Sequence, residues 1–266
     1  MAKKETLLSH FGINSDNRVI ALVGGGGKTS LMYALAREIL ARNGTVISTT
    51  SAKIAPPTPN QSPKLLLLED DPDLRELPEQ LARFRHVTLG RAIIPPHGKL
   101  DGIPEPTIGR CLEVADKVIV EADGAAGRPI KAPEDWEPVI PTFANLVIPV
   151  VGLDCVGKPA SEEWVFRIER FLALTGLRRG EIIGPDSIAR LLSSDYGALK
   201  GVGAGATVTP FLNKLDLLVD SAAIQDIIRN VTELTDRIER IVVGKLINEI
   251  ESRSFILGQS RSRDES

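Results

Sequence analysis

The chain has 266 residues, of which 42% are hydrophobic and 25% are charged. This balance is typical of a globular protein and excludes a wholly disordered chain. The formal net charge is -3, and because duplex-binding proteins carry a basic excess, we expect no nucleic-acid partner. No apolar run reaches the roughly 18 residues of a membrane span, and no apolar segment follows the basic N-terminus, so we expect a cytoplasmic protein.

Short apolar runs alternate with helical patterns along the chain. Strands are expected at residues 19–23, 45–50, 64–69, 86–94, 117–121, 145–153, 207–212 and 238–247. Helices are expected at residues 3–13, 28–41, 73–83, 107–115, 185–192 and 217–229, and another begins at Ser161. This alternation predicts an α/β fold in which a mostly parallel sheet carries helices on both faces.

The order of elements also predicts the domain organisation. No linker divides the chain, so we expect a single P-loop domain over residues 1–251 and a disordered polar tail over residues 252–266. Pro149 interrupts the apolar run 145–153, which indicates an edge strand or a bulge.

The strongest functional signal is a glycine-rich loop between a predicted strand and a predicted helix. It consists of Gly24, Gly25, Gly26, Gly27, Lys28, Thr29 and Ser30. Glycines let backbone N–H groups approach a phosphate, and the helix adds its N-terminal donors. The lysine of such a loop reaches the phosphates, and the hydroxyl that follows it ligates Mg²⁺. The sequence therefore predicts a P-loop NTPase-like nucleotide site.

The loop departs from the strict phosphate-loop pattern, because Leu22 stands where that pattern has glycine. It fits the variant G-G-x-G-K-T and resembles the loop of the ATPases and GTPases related to nitrogenase iron protein and nickel-insertion factors. Val23 stands where many of those proteins carry a second lysine.

Two carboxylates follow the apolar run 117–121. Glu121 and Asp123 are two residues apart, which places both on one side of a regular strand. The carboxyl ends of parallel strands share one edge of the sheet, so we expect both near the phosphate loop. Either can hold Mg²⁺ with Thr29 or orient the attacking water. With Lys28 they are the candidate catalytic residues, and a pair of turn acids is the alternative.

A second motif predicts recognition of the base. Asn213, Lys214 and Asp216 form the Asn-Lys-x-Asp pattern of many GTPases, in which one carboxylate accepts both adjacent donors of guanine. Adenine lacks those donors, so we expect GTP to be favoured over ATP. In this interpretation Asn213 braces the loop, and the Lys214 stem lies along the base. An incidental helix-entry aspartate is the alternative.

Several other residue types have weaker interpretations. Candidate anion contacts, with solvated surface charges as the alternative, are Lys53, Arg128 and Lys131. Side chains expected to serve packing or structure are Cys111, Cys155, Trp136, Trp164, His10, His86 and His97. Residues that end the second strand beside the loop, and can contact substrate or cap the strand, are Thr49, Thr50 and Ser51.

Together these segments resemble the YqeC-like group of accessory proteins for selenium-dependent molybdenum hydroxylases. The matching pieces are VGGGGKT at 23–29, STTSAKI at 48–54, EADGAAGRPIKAP at 121–133, residues 138–141 and VGLDCVGKP at 151–159. The 213–216 motif fits as well. The resemblance spans roughly residues 5–250. The family often has His-Arg-Pro-Glu after the VGLD segment, where residues 166–169 here read Phe-Arg-Ile-Glu.

The resemblance implies a cytosolic nucleotide-binding protein that helps to mature a molybdenum hydroxylase client. Three hypotheses follow: a Mg²⁺-dependent triphosphatase that uses GTP or ATP, a small-molecule kinase with the same loop, and a nucleotide-gated binding module that does not hydrolyse. Release of phosphate, transfer to an acceptor, or neither distinguishes them.

Overall fold

The computed structural model describes residues 5–246 and 250–257. Its helices are α1 Leu7–His10, α2 Lys28–Ala41, α3 Leu77–Phe84, α4 Glu105–Cys111, α5 Ile168–Thr175, α6 Pro185–Ser193 and α7 Ala222–Leu234. Short 3-10 turns lie at Leu153–Cys155 and Leu215–Leu217. No helix in this part of the chain is both long enough and apolar enough to cross a bilayer.

The first strands are β1 Val19–Gly24, β2 Val46–Thr50, β3 Lys53–Ile54, β4 Leu65–Leu67, β5 His86–Gly90, β6 Ile93–Ile94, β7 Lys99–Asp101 and β8 Lys117–Glu121. The later strands are β9 Ile130–Lys131, β10 Leu146–Gly152, β11 Val165–Phe166, β12 Thr207–Val208, β13 Phe211–Asn213, β14 Arg240–Lys245 and β15 Glu251–Ile256.

One large sheet organises the molecule, in the order β15-β14-β13-β10-β1-β8-β2-β5-β4, with β12 also paired to β10. Every pairing in it is parallel except that between β14 and β15. Two small sheets, β11-β9 and β3-β7-β6, lie outside it. The phosphate-loop strand β1 lies between β10 and β8, and parallel pairing brings the carboxyl ends of all three to one edge.

Helices cover both faces of the sheet, because its central strands are apolar on both sides. In β1, Ile20 and Leu22 pack with α1 and α2, whereas Val19 and Ala21 face the opposite side. On that opposite side α3 and α4 cover one half of the sheet, and α5, α6 and α7 cover the half around β13 and β14. The fold is the P-loop NTPase-like α/β architecture that the sequence predicts.

Pro149 lies in the middle of the sheet, so its prediction as an edge or bulge residue is wrong. It pairs in register with Val23 of β1. On its other side Val147 pairs with β12 and Val150 pairs with β13. Pro149 therefore lies opposite the break between those two strands, where a missing N–H costs no ladder bond.

Three other predictions need correction. The helix expected from Ser161 begins at Ile168, and the strand expected over 207–212 is divided at Pro210. The tail expected from residue 252 is wrong at its start, because Glu251–Ile256 forms β15 and pairs antiparallel with β14. A polar strand can occupy a sheet edge, where only one side needs a partner. Residues 258–266 of that tail lie outside the described residues.

Candidate functional site

The phosphate loop turns tightly between the end of β1 and the start of α2. Gly26 and Gly27 have φ values of 81° and 127°, which are accessible to glycine. A Cβ on Gly26 would lie 2.2 Å from Gly152 N, and one on Gly27 would lie 2.4 Å from Asn213 Nδ2. Both positions therefore require glycine, because a side chain would clash with a neighbouring residue and because the backbone conformation is unfavourable for other residues.

The loop's first N–H groups are already used within the protein. Gly24 N donates to Asp123 Oδ2, Gly25 N to Val150 O and Gly26 N to Arg128 O. Gly27 is the N-cap residue of α2, and it has no side chain that could cap the helix. The donors that this loop offers a phosphate are accordingly those at the start of α2, where first-turn N–H groups have no intrahelical acceptor.

Four of the predicted side chains meet at the carboxyl ends of β1 and β8. Lys28 Nζ lies 3.2 Å from Asp123 Oδ1 and 3.8 Å from Glu121 Oε1, and it donates to Gly24 O. Thr29 Oγ1 donates to Glu121 Oε2 at 2.7 Å. Lys28, Glu121 and Asp123 are all buried.

The oxygen atoms of this group fit a hard divalent cation. Asp123 Oδ1 is buried and accepts no hydrogen bond, although the Lys28 ammonium is 3.2 Å away. It lies with the Thr29 hydroxyl and the Glu121 carboxylate beside the helix start. Burial raises the pKa of Glu121, and nearby Lys28 opposes that rise. No cluster of three or more His, Cys, Asp or Glu side chains forms a metal cage in the described ranges. Mg²⁺ suits such a site, because it takes one or two protein oxygens and completes its shell with phosphates and water.

Lys131 extends this charge cluster away from the loop. Its amine lies 3.3 Å from Asp123 Oδ2 and 2.9 Å from Glu137 Oε2, and it donates to Gly124 O at 2.6 Å. The side chain is fully buried. Of the three cations expected to contact an anion, Lys131 is therefore already bound within the protein.

The predicted base motif lies where β13 ends. Asn213 Nδ2 donates to Gly26 O at 2.8 Å, so the amide braces the phosphate loop. Lys214 Nζ lies 2.6 Å from Asp154 Oδ2, a partner that sequence reasoning did not identify. Asp216 is exposed on the 3-10 turn that follows. Its carboxylate lies outside the cleft described next.

A cleft of about 970 Å³ opens beside the loop and extends well beyond it. It is lined by Gly26–Ser30, Ser51–Ala55, Lys99, Glu121–Arg128, Trp136, Glu137, Val139, Phe166, Arg167 and Lys214. Lys53 and Arg128 were expected at such a site. Sequence reasoning missed Lys99 and Arg167, because neither lies in a recognisable motif. Trp136 was expected to anchor packing, but it is 66% exposed.

The cysteines and histidines lie away from the cleft lining. Cys111 and Cys155 are buried and free, and burial raises the pKa of the Cys111 thiol to about 12 and that of Cys155 further. His86 is buried against Ser48, 2.9 Å from its hydroxyl, and burial lowers its pKa to about 4. Of the three residues predicted at the end of the second strand, only Ser51 lines the cleft. The hydroxyls of Thr49 and Thr50 donate to backbone carbonyls.

Comparison with known proteins gives three findings. The family model described as YqeC protein matches residues 20–169, more than half of the chain. A curated relative from Escherichia coli (strain K12), described as uncharacterized protein YqeC, is 28% identical over 232 residues, covering 84% of this chain and 86% of its own. A solved structure of hydrogenase maturation factor HypB from Archaeoglobus fulgidus aligns with 87% of this chain and 83% of its own at 13% identity, with a TM-score of 0.39.

Proposed function

This chain belongs to the YqeC family, and we propose that it is a Mg²⁺-dependent nucleoside triphosphatase that prefers GTP to ATP. The observation that carries the proposal is the meeting of Lys28, Thr29, Glu121 and Asp123 at an uncapped helix start beside a large cleft. As the family resemblance implies, its cellular role is the maturation of a selenium-dependent molybdenum hydroxylase client in the cytoplasm.

In this proposal the chemistry is mainly positioning and electrostatics. The Lys28 ammonium and the first N–H groups of α2 bind the β- and γ-phosphates. Thr29 and Asp123 ligate Mg²⁺, which offsets the charge of the phosphates when bound. Glu121 orients the water that attacks the γ-phosphorus. The bond from that phosphorus to the bridging oxygen breaks, giving the nucleoside diphosphate and inorganic phosphate.

Base preference is tested by titration calorimetry with GTP and ATP in the presence of Mg²⁺. We expect GTP to bind more tightly, Lys28→Ala to abolish binding of both nucleotides, and Asp216→Ala to remove the preference. Xanthine carries an acceptor where guanine carries its 2-amino donor, so Asp216→Asn is expected to favour XTP over GTP. Equal binding of GTP and ATP by the unaltered protein contradicts base recognition by Asp216.

Hydrolysis is tested separately by phosphate release. Glu121→Gln is expected to retain nucleotide binding and to lose at least about a hundredfold in turnover, as removal of a positioned catalytic group does. Tight binding without phosphate release in the unaltered protein contradicts the triphosphatase and supports the nucleotide-gated module.

A small-molecule kinase is the second candidate, and a specific observation favours it. The cleft carries cations beyond the phosphate loop, at Lys53, Lys99, Arg128 and Arg167. Such cations suit an anionic acceptor for the γ-phosphoryl group. Phosphate release that remains slow until an acceptor is added, with the label found on that acceptor, would favour this candidate.

A further inference from the structure

The position of the base motif limits how much of the cleft a nucleotide can use. Asn213 ends β13, which lies two strands from β1, whereas β8 and β2 lie on the other side of β1. With neighbouring strands about 4.8 Å apart, β13 and β2 are about 19 Å apart. A nucleotide bound as proposed, with its base at β13 and its phosphates at β1, leaves the β8–β2 side of the cleft to another ligand.

A well-anchored segment forms one wall on that side. Val139 N donates to Ala122 O at 3.0 Å, and Ser51 Oγ donates to Val139 O at 2.7 Å. These bonds fix Val139 across the carboxyl ends of β8 and β2, and Glu137 in the same segment is held by Lys131. Trp136 belongs to this anchored wall, yet 66% of its surface is exposed. It therefore presents an aromatic surface to the solvent at the cleft.

Arg167 lies between aromatic rings at the same wall. Its guanidinium carbon is 4.7 Å from the Phe166 ring centroid and 5.7 Å from that of Trp136. Its Nε forms an ion pair with Glu137 Oε2 at 3.7 Å but no hydrogen bond, and the same oxygen lies 2.9 Å from Lys131 Nζ. The residue also adopts a φ of 65°, which is uncommon for a side chain of this size. The Arg167 side chain is 32% exposed and lines the cleft, so this stacked guanidinium is suited to a carboxylate or phosphate.

Lys53 and Lys99 line the same cleft as Arg167. They lie on adjacent strands of the β3-β7-β6 sheet, where Lys53 lies opposite Asp101, two residues from Lys99. Both lysines therefore point to the same face. The Asp101 carboxylate on that face bonds Arg91, and within the described residues neither lysine forms an ion pair.

We propose that this half of the cleft binds a second ligand, an anionic small molecule with a planar aromatic ring, beside the terminal phosphate of the nucleotide. Trp136 stacks on the ring, and Arg167, Lys53 and Lys99 hold its anionic groups. The placement beside a terminal phosphate rests on the proposed function. The ligand is then either the acceptor of the phosphoryl group or a cargo whose release follows hydrolysis.

The test uses flavin mononucleotide and the pyrene dye pyranine as aromatic anions, with riboflavin and inorganic phosphate as probes that lack the anion or the ring. Binding of the fluorescent probes is followed by quenching of their emission. Binding of inorganic phosphate is followed by its competition with a fluorescent probe. We expect an aromatic anion to bind at least about tenfold more tightly than riboflavin or phosphate, since both contacts contribute. Trp136→Ala and Arg167→Gln should each weaken it by about tenfold, and Trp136→Phe should restore most of the Trp136→Ala loss. The matched control is Arg190→Gln, which alters an exposed ion pair on α6 and should leave probe binding within twofold.

The outcomes separate this inference from the proposed function. If Lys28→Ala loses GTP but retains the probe, the two sites are distinct as proposed. If GTP does not bind the unaltered protein but the probe does, the proposed function fails while the aromatic-anion site stands. If neither aromatic anion binds at up to about 1 mM, or binding is unchanged in Trp136→Ala and Arg167→Gln, the inference is wrong. Displacement of the probe by GTP also overturns it.

Discussion

Lys131 Nζ lies 3.3 Å from Asp123 Oδ2, and both side chains are almost completely sealed from solvent. The same amine lies 2.9 Å from Glu137 Oε2. One buried cation thus joins the candidate metal ligand to the wall of the cleft. A cation in this position gives each of the two carboxylates an ion-pair partner where water has little access.

Replacing Lys131 with methionine is expected to destabilise the protein by about 3–5 kcal/mol, because buried charges lose their partner. Chemical denaturation measures the loss. Adding Glu137→Gln to that variant should recover part of it, since one unpaired carboxylate is then removed. As a control, Arg190→Met removes an exposed pair and should cost less than about 1 kcal/mol. A Lys131→Met loss no larger than the control's would contradict this interpretation.

Asn213→Ala is expected to loosen the phosphate loop. It removes the side-chain hydrogen bond to Gly26 O and leaves that carbonyl buried, at a cost of about 1–3 kcal/mol. Hydrogen exchange should rise at residues 24–27 more than elsewhere. Asn60 is exposed, so Asn60→Ala should leave both stability and exchange unchanged. Exchange at the loop that matches the unaltered protein would argue against a bracing role.

Local sequence patterns predicted the elements around the phosphate loop well. The helix over residues 28–41 and the strand over residues 117–121 coincide with α2 and β8. Their signals are local, namely a glycine-rich turn before an amphipathic segment, and an apolar run that ends in carboxylates. The meeting of Glu121 with Thr29 followed from parallel topology, which the alternating pattern implies.

Features that depend on distant partners could not be predicted. The sequence predicts that Pro149 lies in an edge strand. The sheet accepts this proline because the neighbouring strand is interrupted at Pro210, and the local sequence around Pro149 does not show that interruption. Arg167 lies in no recognisable motif, and its contact with Trp136 becomes visible only in the folded structure. The strand β15 has no apolar pattern, because it forms through pairing with β14 at the edge of the sheet.

His86 is expected to make stability depend on pH. Burial lowers its pKa from 6.5 to about 4, so the folded state binds fewer protons than the unfolded state between these values. Its contribution is complete above pH 6.5 and is lost as pH falls toward 4, by at most about 3 kcal/mol.

His86→Asn should flatten that part of the stability curve when denaturation is repeated at each pH. His97 is exposed, and His97→Asn serves as the matched control, which should keep the full dependence. A curve for His86→Asn that falls as steeply as the control's would contradict the assignment.

The two thiols are expected to be inert in the folded protein. Cys111 and Cys155 are both buried, and burial raises the pKa of each, to about 12 for Cys111. Since the thiolate is the reactive form, iodoacetamide should modify neither thiol natively and both after unfolding. Mass spectrometry of the intact protein measures this. Rapid native labelling of either thiol would contradict this prediction.

The bracing of the phosphate loop has a consequence for synthesis of the chain. The loop's neighbours are Val150, Gly152 and Asn213, and all three are made long after the loop itself. A nascent chain that has reached Asp123 already contains every glycine of the loop and both carboxylates. It still lacks the backbone against which the loop turns, so we expect that nucleotide does not assist folding until Asn213 has been made.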